Sequence, residues 1–178
     1  FTRWEDLMPY GAGAFLMFGL GSVPAGRLGD LWGRRSMMVV FFFGLGAAAL
    51  LCAAAQNAWQ MALALTVLGA FSAIYHPVGI PMLVQHARNP GTTIGINGLV
   101  GNLGIAFAAI LTGFMVQYVG WRAAFVVPAV ISMAAGALFM AITPAETESP
   151  ARRKARAPVQ LSQRMMARLF LVMTVAAI

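Results

Sequence analysis

The sequence predicts an all-α, polytopic bundle of transmembrane helices, and three observations carry that prediction. The 178 residues are 60% hydrophobic and only 10% charged, whereas a soluble domain carries about 25% charged residues. Residues 7–26 and 36–87 contain no Asp, Glu, Lys or Arg, and about 20 apolar residues suffice to span the hydrocarbon core. The charges that do occur gather in short links, so the net charge of +7 is a topology signal. It is not a nucleic-acid footprint. The expected partner is the lipid bilayer, with no nucleic acid.

Taken in order, residues 1–8 hold Arg3, Trp4, Glu5 and Asp6 and read as an external loop. Pro9 suits a first helical turn, where its missing N–H costs little, and the first span is placed at residues 9–28. Gly11, Gly13, Gly19, Gly21, Ser22, Ala25 and Gly26 give it a small-residue surface for close helix contact. Pro24 is expected to bend it. The following link, Gly26-Arg27-Leu28-Gly29-Asp30-Leu31-Trp32-Gly33-Arg34-Arg35, is too short to be a domain and reads as a tight hairpin. Its three arginines mark that surface as cytoplasmic, because short Lys/Arg-rich loops stay inside.

The second span is placed at residues 36–55, with Gln56, Asn57 and Trp59 forming an external turn. The third, at 60–85, is broken by Pro77 and Pro81. After a cytoplasmic turn with Arg88 and Pro90, the fourth span at 92–118 carries Gly95, Gly98, Gly101 and Gly104 at every third position. Gly120-Trp121-Arg122 is an external hinge before the fifth span at 123–143. Residues 144–164, with Arg152, Arg153, Lys154 and Arg156, read as a flexible basic linker, and residues 165–178 as the start of a sixth span. With no initiator Met and an apolar run at its end, the chain reads as a fragment cut at both ends.

Two checks agree with this threading. Ten of the 12 Lys and Arg residues fall on the inner side, leaving Arg3 and Arg122 outside. Trp4, Trp32, Trp59 and Trp121 all fall at span ends, where indole prefers the membrane interface.

The link at residues 26–35 resembles the signature loop of the major facilitator superfamily, G-x-L-x-D-x-x-G-R-R/K, through Gly26, Leu28, Asp30, Gly33, Arg34 and Arg35. That resemblance implies a six-helix half, here helices two to six plus the start of seven. Residues 1–143 would be the N-terminal half lacking its first helix, and the C-terminal half of the same protein would be its partner. It further implies a multi-pass protein of the bacterial inner (plasma) membrane with residues 144–164 cytoplasmic. The activity implied is secondary transport of a small organic solute by alternating access, with Asp30 and the arginines latching the two halves together on the cytoplasmic side. Proton-coupled efflux is placed ahead of uptake symport, and a non-transporting receptor or scaffold on the same fold is the remaining alternative. In a purely topological reading the arginines do no more than fix orientation.

Between Asp30 and Glu146 there is no acid, so spans two to five carry no carboxylate. Tyr75-His76-Pro77 is the main polar interruption: Pro77 frees the carbonyl four residues before it, and an ionisable His76 at membrane depth is a functional candidate by default. A neutral His that steadies the kink is the bland alternative. The resemblance places this helix on the central cavity, which makes Tyr75 and His76 substrate or proton-coupling candidates, and the Tyr-His-Pro string resembles one in fosmidomycin-resistance-type exporters. Asn97 and Asn102 are further candidates, five positions apart and so not on one helix face. The family's drug antiporters carry a Gly-Pro signature where this chain reads Gly101-Asn102-Leu103-Gly104, and an arginine motif that it lacks. No Ser/His, His/Glu or Asp/Asp arrangement suggests an enzyme. Gly44-Leu45-Gly46-Ala47-Ala48-Ala49 has no preceding strand to make it a dinucleotide site, and a lone Cys52 offers neither disulfide nor metal cluster. No cofactor is expected.

Overall fold

The structure, a computed structural model, describes residues 8–85 and 87–144. Its elements are α1 (Met8–Trp32), α2 (Arg34–Ala54), α3 (Ala58–Ser72), a π-helical turn (Tyr75–Gly79), α4 (Ile80–Val84), α5 (Pro90–Tyr118) and α6 (Ala123–Ile142). The expected outer segment before Met8, His86, the linker beyond Pro144 and the start of a further span all lie outside the described residues.

Among the described residues, four helical stretches are long and apolar enough to cross a membrane: Arg34–Ala54, Ala58–Val84, Pro90–Tyr118 and Ala123–Ile142. The first span expected from sequence, α1, has 25 residues, ample for a crossing at 1.5 Å per residue. Its glycines, prolines and Tyr10 dilute its hydropathy, and the same small residues let it pack closely on α3.

The helix starts follow local chemistry. Asn57 caps α3, its side chain accepting from the Gln60 backbone N–H at 2.9 Å, while Gln60 Oε1 accepts from the Gln56 N–H at 2.7 Å. Asn89 caps α5 in the same manner, accepting from the Thr92 N–H at 3.3 Å, and Pro90 occupies the first helical position, where no donor is missed. That cap moves the start of the fourth span two residues ahead of the one expected from sequence.

The expected hairpin at residues 26–35 is corrected by the structure. Gly26, Leu28 and Asp30 lie within α1, which continues to Trp32, and Gly33 alone makes the turn into α2. Gly33 has φ 94°, a left-handed conformation that only glycine adopts cheaply. The remaining glycines of the link do not break the helix, since each costs only about 1 kcal/mol there. They serve close approach instead. A Cβ on Gly29 would stand 2.9 Å from Val78 Cγ2, and one on Gly26 3.3 Å from Pro77 Cβ. α1 therefore rests directly on the π-helical turn.

The hydrogen bonds between helix ends fix the sense of the bundle. Arg34 and Arg35, at the start of α2, reach the ends of α4 and α6, while Arg122, just before α6, reaches the end of α2. The end of α1, the start of α2 and the ends of α4 and α6 thus share one face. The end of α2 and the start of α6 lie on the opposite face. Arg27, Arg34, Arg35 and Arg88 sit on the first face and Arg122 on the second, as the charge threading requires.

Ala25, Met37, Met38, Ile74 and Val78 form the buried core, bordered by Leu28, Phe41, Phe42, Phe71, Tyr75, Met82 and Phe139. Elsewhere backbone meets backbone: a Cβ on Gly69 would run into the main chain of Ala14. By contrast, α5 buries none of its residues, and Gly95, Gly98, Gly101, Gly104 and Gly113 have nothing within 4 Å of a built Cβ.

Gly69→Ala should destabilise the folded protein by up to about 3 kcal/mol, the scale of core overpacking, because the obstacle is the main chain of α1. Gly98→Ala should leave folding unchanged or slightly stabilised through helix propensity. Reversible unfolding in mixed micelles compares the two, and equal effects would contradict this packing.

Candidate functional site: a polar break in the apolar bundle

The third span is the place where regular helix fails, and its sequence says why. α3 ends at Ser72. The Ala73 N–H still bonds the Gly69 carbonyl at 3.1 Å, whereas the Ile74 N–H tightens onto Phe71 O at 3.2 Å. Pro77 has no N–H to return to Ala73 O, so the ordinary ladder cannot continue. The chain widens into a π-helical turn over Tyr75–Gly79 before α4 resumes. Such turns re-aim side chains and occur often at functional positions.

Two predicted residues meet there. Tyr75 Oη donates to Asn97 Oδ1 at 2.6 Å, joining the π-helical turn to α5. Both side chains are half-buried. The Tyr75 ring also packs at 5.7 Å from Phe41, and the His76 ring stands 5.7 Å from Tyr75 and 5.9 Å from Phe18, edge to face in both cases. The next residue, Pro77, stands against Gly26 of α1, about 9 Å past the midpoint of that helix, so His76 sits in the half of the bundle toward the arginine-rich face. Asn97 lies seven residues into α5, about 10 Å from its start. His76 is exposed. Asn102 is exposed as well, roughly 140° around α5 from Asn97 at 100° per residue, and does not join the group. Tyr75, His76 and Asn97 thus form a polar corner, and Asn102 stands apart from it.

The signature residues form a second group at the arginine-rich face. Arg34 Nη1 donates to Pro81 O at 3.2 Å and to Gln85 Oε1 at 3.1 Å, at the end of α4. Arg35 Nε donates to Thr143 O at 2.7 Å and Nη2 to Met140 O at 2.9 Å, at the end of α6. Thr143 O and Met140 O lie where α6 has run out of its own donors and at the negative end of its dipole, so a guanidinium is well suited to them, whereas Pro81 O also accepts from the Gln85 N–H at 3.1 Å. Gly33 is buried at the turn, Asp30 and Leu28 are half-buried in the last turns of α1, and Arg27 is exposed. Gln85 was not singled out from sequence: it meets Arg34 across a separation of 51 residues, and no local pattern announces that contact. Among the described residues no group of His, Cys, Asp and Glu could hold a metal ion.

The family model of the Major Facilitator Superfamily matches residues 10–178. The chain is 30% identical over 150 residues to a probable actinorhodin transporter of Streptomyces coelicolor, an alignment covering 80% of this chain and 25% of that protein. It is 31% identical over 110 residues to a puromycin resistance protein of Streptomyces alboniger, covering 60% of this chain and 22% of the relative. An uncharacterized MFS-type transporter of Mycobacterium tuberculosis is 30% identical over 143 residues, covering 77% of this chain and 19% of the relative. The chain therefore spans a quarter or less of the length of these relatives.

The Tyr75–Asn97 bond should appear as a coupling of about 0.6–1.7 kcal/mol, the range for interhelical hydrogen bonds in membrane proteins. A double-mutant cycle with Tyr75→Phe and Asn97→Ala measures it, with Asn102→Ala as an additive control.

Proposed function

The chain belongs to the Major Facilitator Superfamily, and from that premise we propose that it forms part of a secondary transporter exporting a small organic solute by alternating access, coupled to proton entry. The observation that carries this reading is the 2.6 Å Tyr75–Asn97 bond beside the π-helical turn. It sets donors, acceptors and an imidazole close together in a largely apolar bundle. Polar groups are costly at such depth and mark solute or proton pathways. The group is flanked by Phe18 and Phe41, a mixture of aromatic surface and few polar contacts that suits an organic solute. Export is supported by the descriptions of two relatives, one as a probable transporter of actinorhodin and one as a puromycin resistance protein.

In this reading each named residue has a task. Tyr75 and Asn97 orient the solute and exchange their mutual bond for bonds to it. His76, the imidazole beside that corner, carries the coupling proton. Asp30, in the last turns of α1, and the turn at Gly33–Arg35 hold the cytoplasmic side, so that release of the latch lets the two halves rock. The arginine-rich face then looks into the cytoplasm of a bacterial cell, in accord with the positive-inside rule.

The test is flux in proteoliposomes made with the whole protein and an imposed pH gradient, using puromycin and actinorhodin as first probes. Gradient-driven accumulation is expected, and transport that ignores the gradient would remove the coupling. His76→Gln should flatten the dependence of flux on pH; an unaltered profile would leave His76 a packing residue. Asp30→Asn should slow flux strongly with insertion intact, and wild-type rates in that variant would end the latch assignment.

A further inference from the structure

Gly33 and Gly120 are the two residues with positive φ among those described, at 94° and 118°. Each opens the same short pattern: Gly33-Arg34-Arg35 leads into α2, and Gly120-Trp121-Arg122 leads into α6. The arginine two places after each glycine then makes the same kind of contact. Arg35 donates to Thr143 O at 2.7 Å and Met140 O at 2.9 Å, at the end of α6. Arg122 donates to Ala53 O at 3.1 Å and Ala55 O at 3.4 Å, at the end of α2. The relation is reciprocal. Each helix of this antiparallel pair has its terminal carbonyls held by the arginine that introduces the other, at opposite faces of the bundle.

The pair is also joined along its length. Ser132 Oγ donates to Phe42 O at 2.9 Å. A Cβ on Gly46 would stand 2.7 Å from Met133 Cγ, and one on Gly136 2.7 Å from Phe42 Cβ. The Trp121 ring supports the outer arginine, with Arg122 Cζ 4.4 Å from its centroid, an arrangement that favours guanidinium over ammonium. A planar fork on two carbonyls resists both splaying and axial sliding, which one point contact would not.

We propose that the Gly120-Trp121-Arg122 turn is the opposite-face counterpart of the Gly33-Arg34-Arg35 turn, and that Arg35 and Arg122 together lock α2 and α6 into one rigid pair. Arg122 is then a positioning residue for transport: it touches no solute and acts by keeping the pair moving as a unit. This last step rests on the transport reading. The lock itself does not.

The experiment places spin labels in the whole protein, with the buried Cys52 replaced by Ala. One pair sits at Leu51 and Val126 near the outer ends of α2 and α6, a second at Val40 and Leu138 near the inner ends; all four side chains are exposed. Arg122→Ala should broaden the outer distance distribution and leave the inner one narrow, and Arg35→Ala should do the reverse. Should either variant fold poorly, Arg122→Gln and Arg35→Gln, which keep one donor, should give the same asymmetry in weaker form. Broadening at both ends in each variant, or at neither, would overturn the lock. In the flux assay Arg122→Ala should lower turnover per folded molecule several-fold with KM unchanged, and a raised KM at full turnover would overturn the positioning role. Absence of any flux in the unmodified protein, with the end-specific broadening present, would leave the lock standing and defeat the transport reading alone.

Discussion

A helix that ends inside or at the edge of a bilayer leaves its last carbonyls without partners, and water cannot be relied on to supply them. The bundle depends on how that need is met. The ends of α2 and α6 each receive a guanidinium from the start of the other, and Arg34 joins the start of α2 to α4 through Pro81 O and Gln85. The antiparallel arrangement makes this possible, because the N-terminal residues of one helix lie beside the C-terminal carbonyls of the next. An arginine at the start of its own helix sits badly with that helix's dipole. By reaching across it serves the opposite pole of another, so one side chain caps an end and joins two rods.

Between the capped ends, the helices meet through absent side chains rather than through large interlocking ones. Lipid tails are as apolar as leucine, so association within a membrane relies on close contact and on hydrogen bonds. Gly69 against Ala14, Gly29 against Val78 and Gly136 against Phe42 supply the first. Tyr75 to Asn97 and Ser132 to Phe42 O supply the second. The consequence is uneven packing. α1, α2, α3 and α6 hold the buried residues, with the π-helical turn among them, while α5 contributes none.

Much of this was legible in the chain itself. Charge-free runs of sufficient length placed the helices to within a few residues, and Pro77 announced the break in the third span. The sense of each crossing followed from arginine placement and agrees with the helix-end hydrogen bonds. The turn after α1 was not legible. Three glycines and four charged residues over residues 26–35 look like a loop, yet only Gly33 turns, because Gly26 and Gly29 are needed to let the π-helical turn come close. That need comes from Pro77 and Val78, almost fifty residues away in sequence, and no local rule expresses it. The partners of the arginines were hidden for the same reason: backbone carbonyls at distant helix ends carry no residue signature. Of the polar candidates, spacing puts Asn97 and Asn102 on different faces of α5, but only the fold could show that Tyr75 reaches Asn97.

The contrast between the α2–α6 pair and α5 bears on where a bundle of this kind can yield. α2 and α6 are held at both ends and in the middle, so a displacement applied to one is carried by the other. The glycines of α5 have nothing within 4 Å of a built Cβ, and among the described residues the Tyr75–Asn97 bond joins this helix to the π-helical turn. A hydrogen bond between two half-buried groups costs little to exchange for another of similar strength, and a π-helical turn already has its ladder loosened by Pro77. The link between α5 and the π-helical turn therefore lies at the polar corner. A ligand that offered a hydroxyl or carbonyl at that corner would compete with the bond that ties α5 to its neighbours. Occupancy and helix position would then be coupled through differential contacts alone, which is the thermodynamic requirement for a ligand to shift a conformational equilibrium.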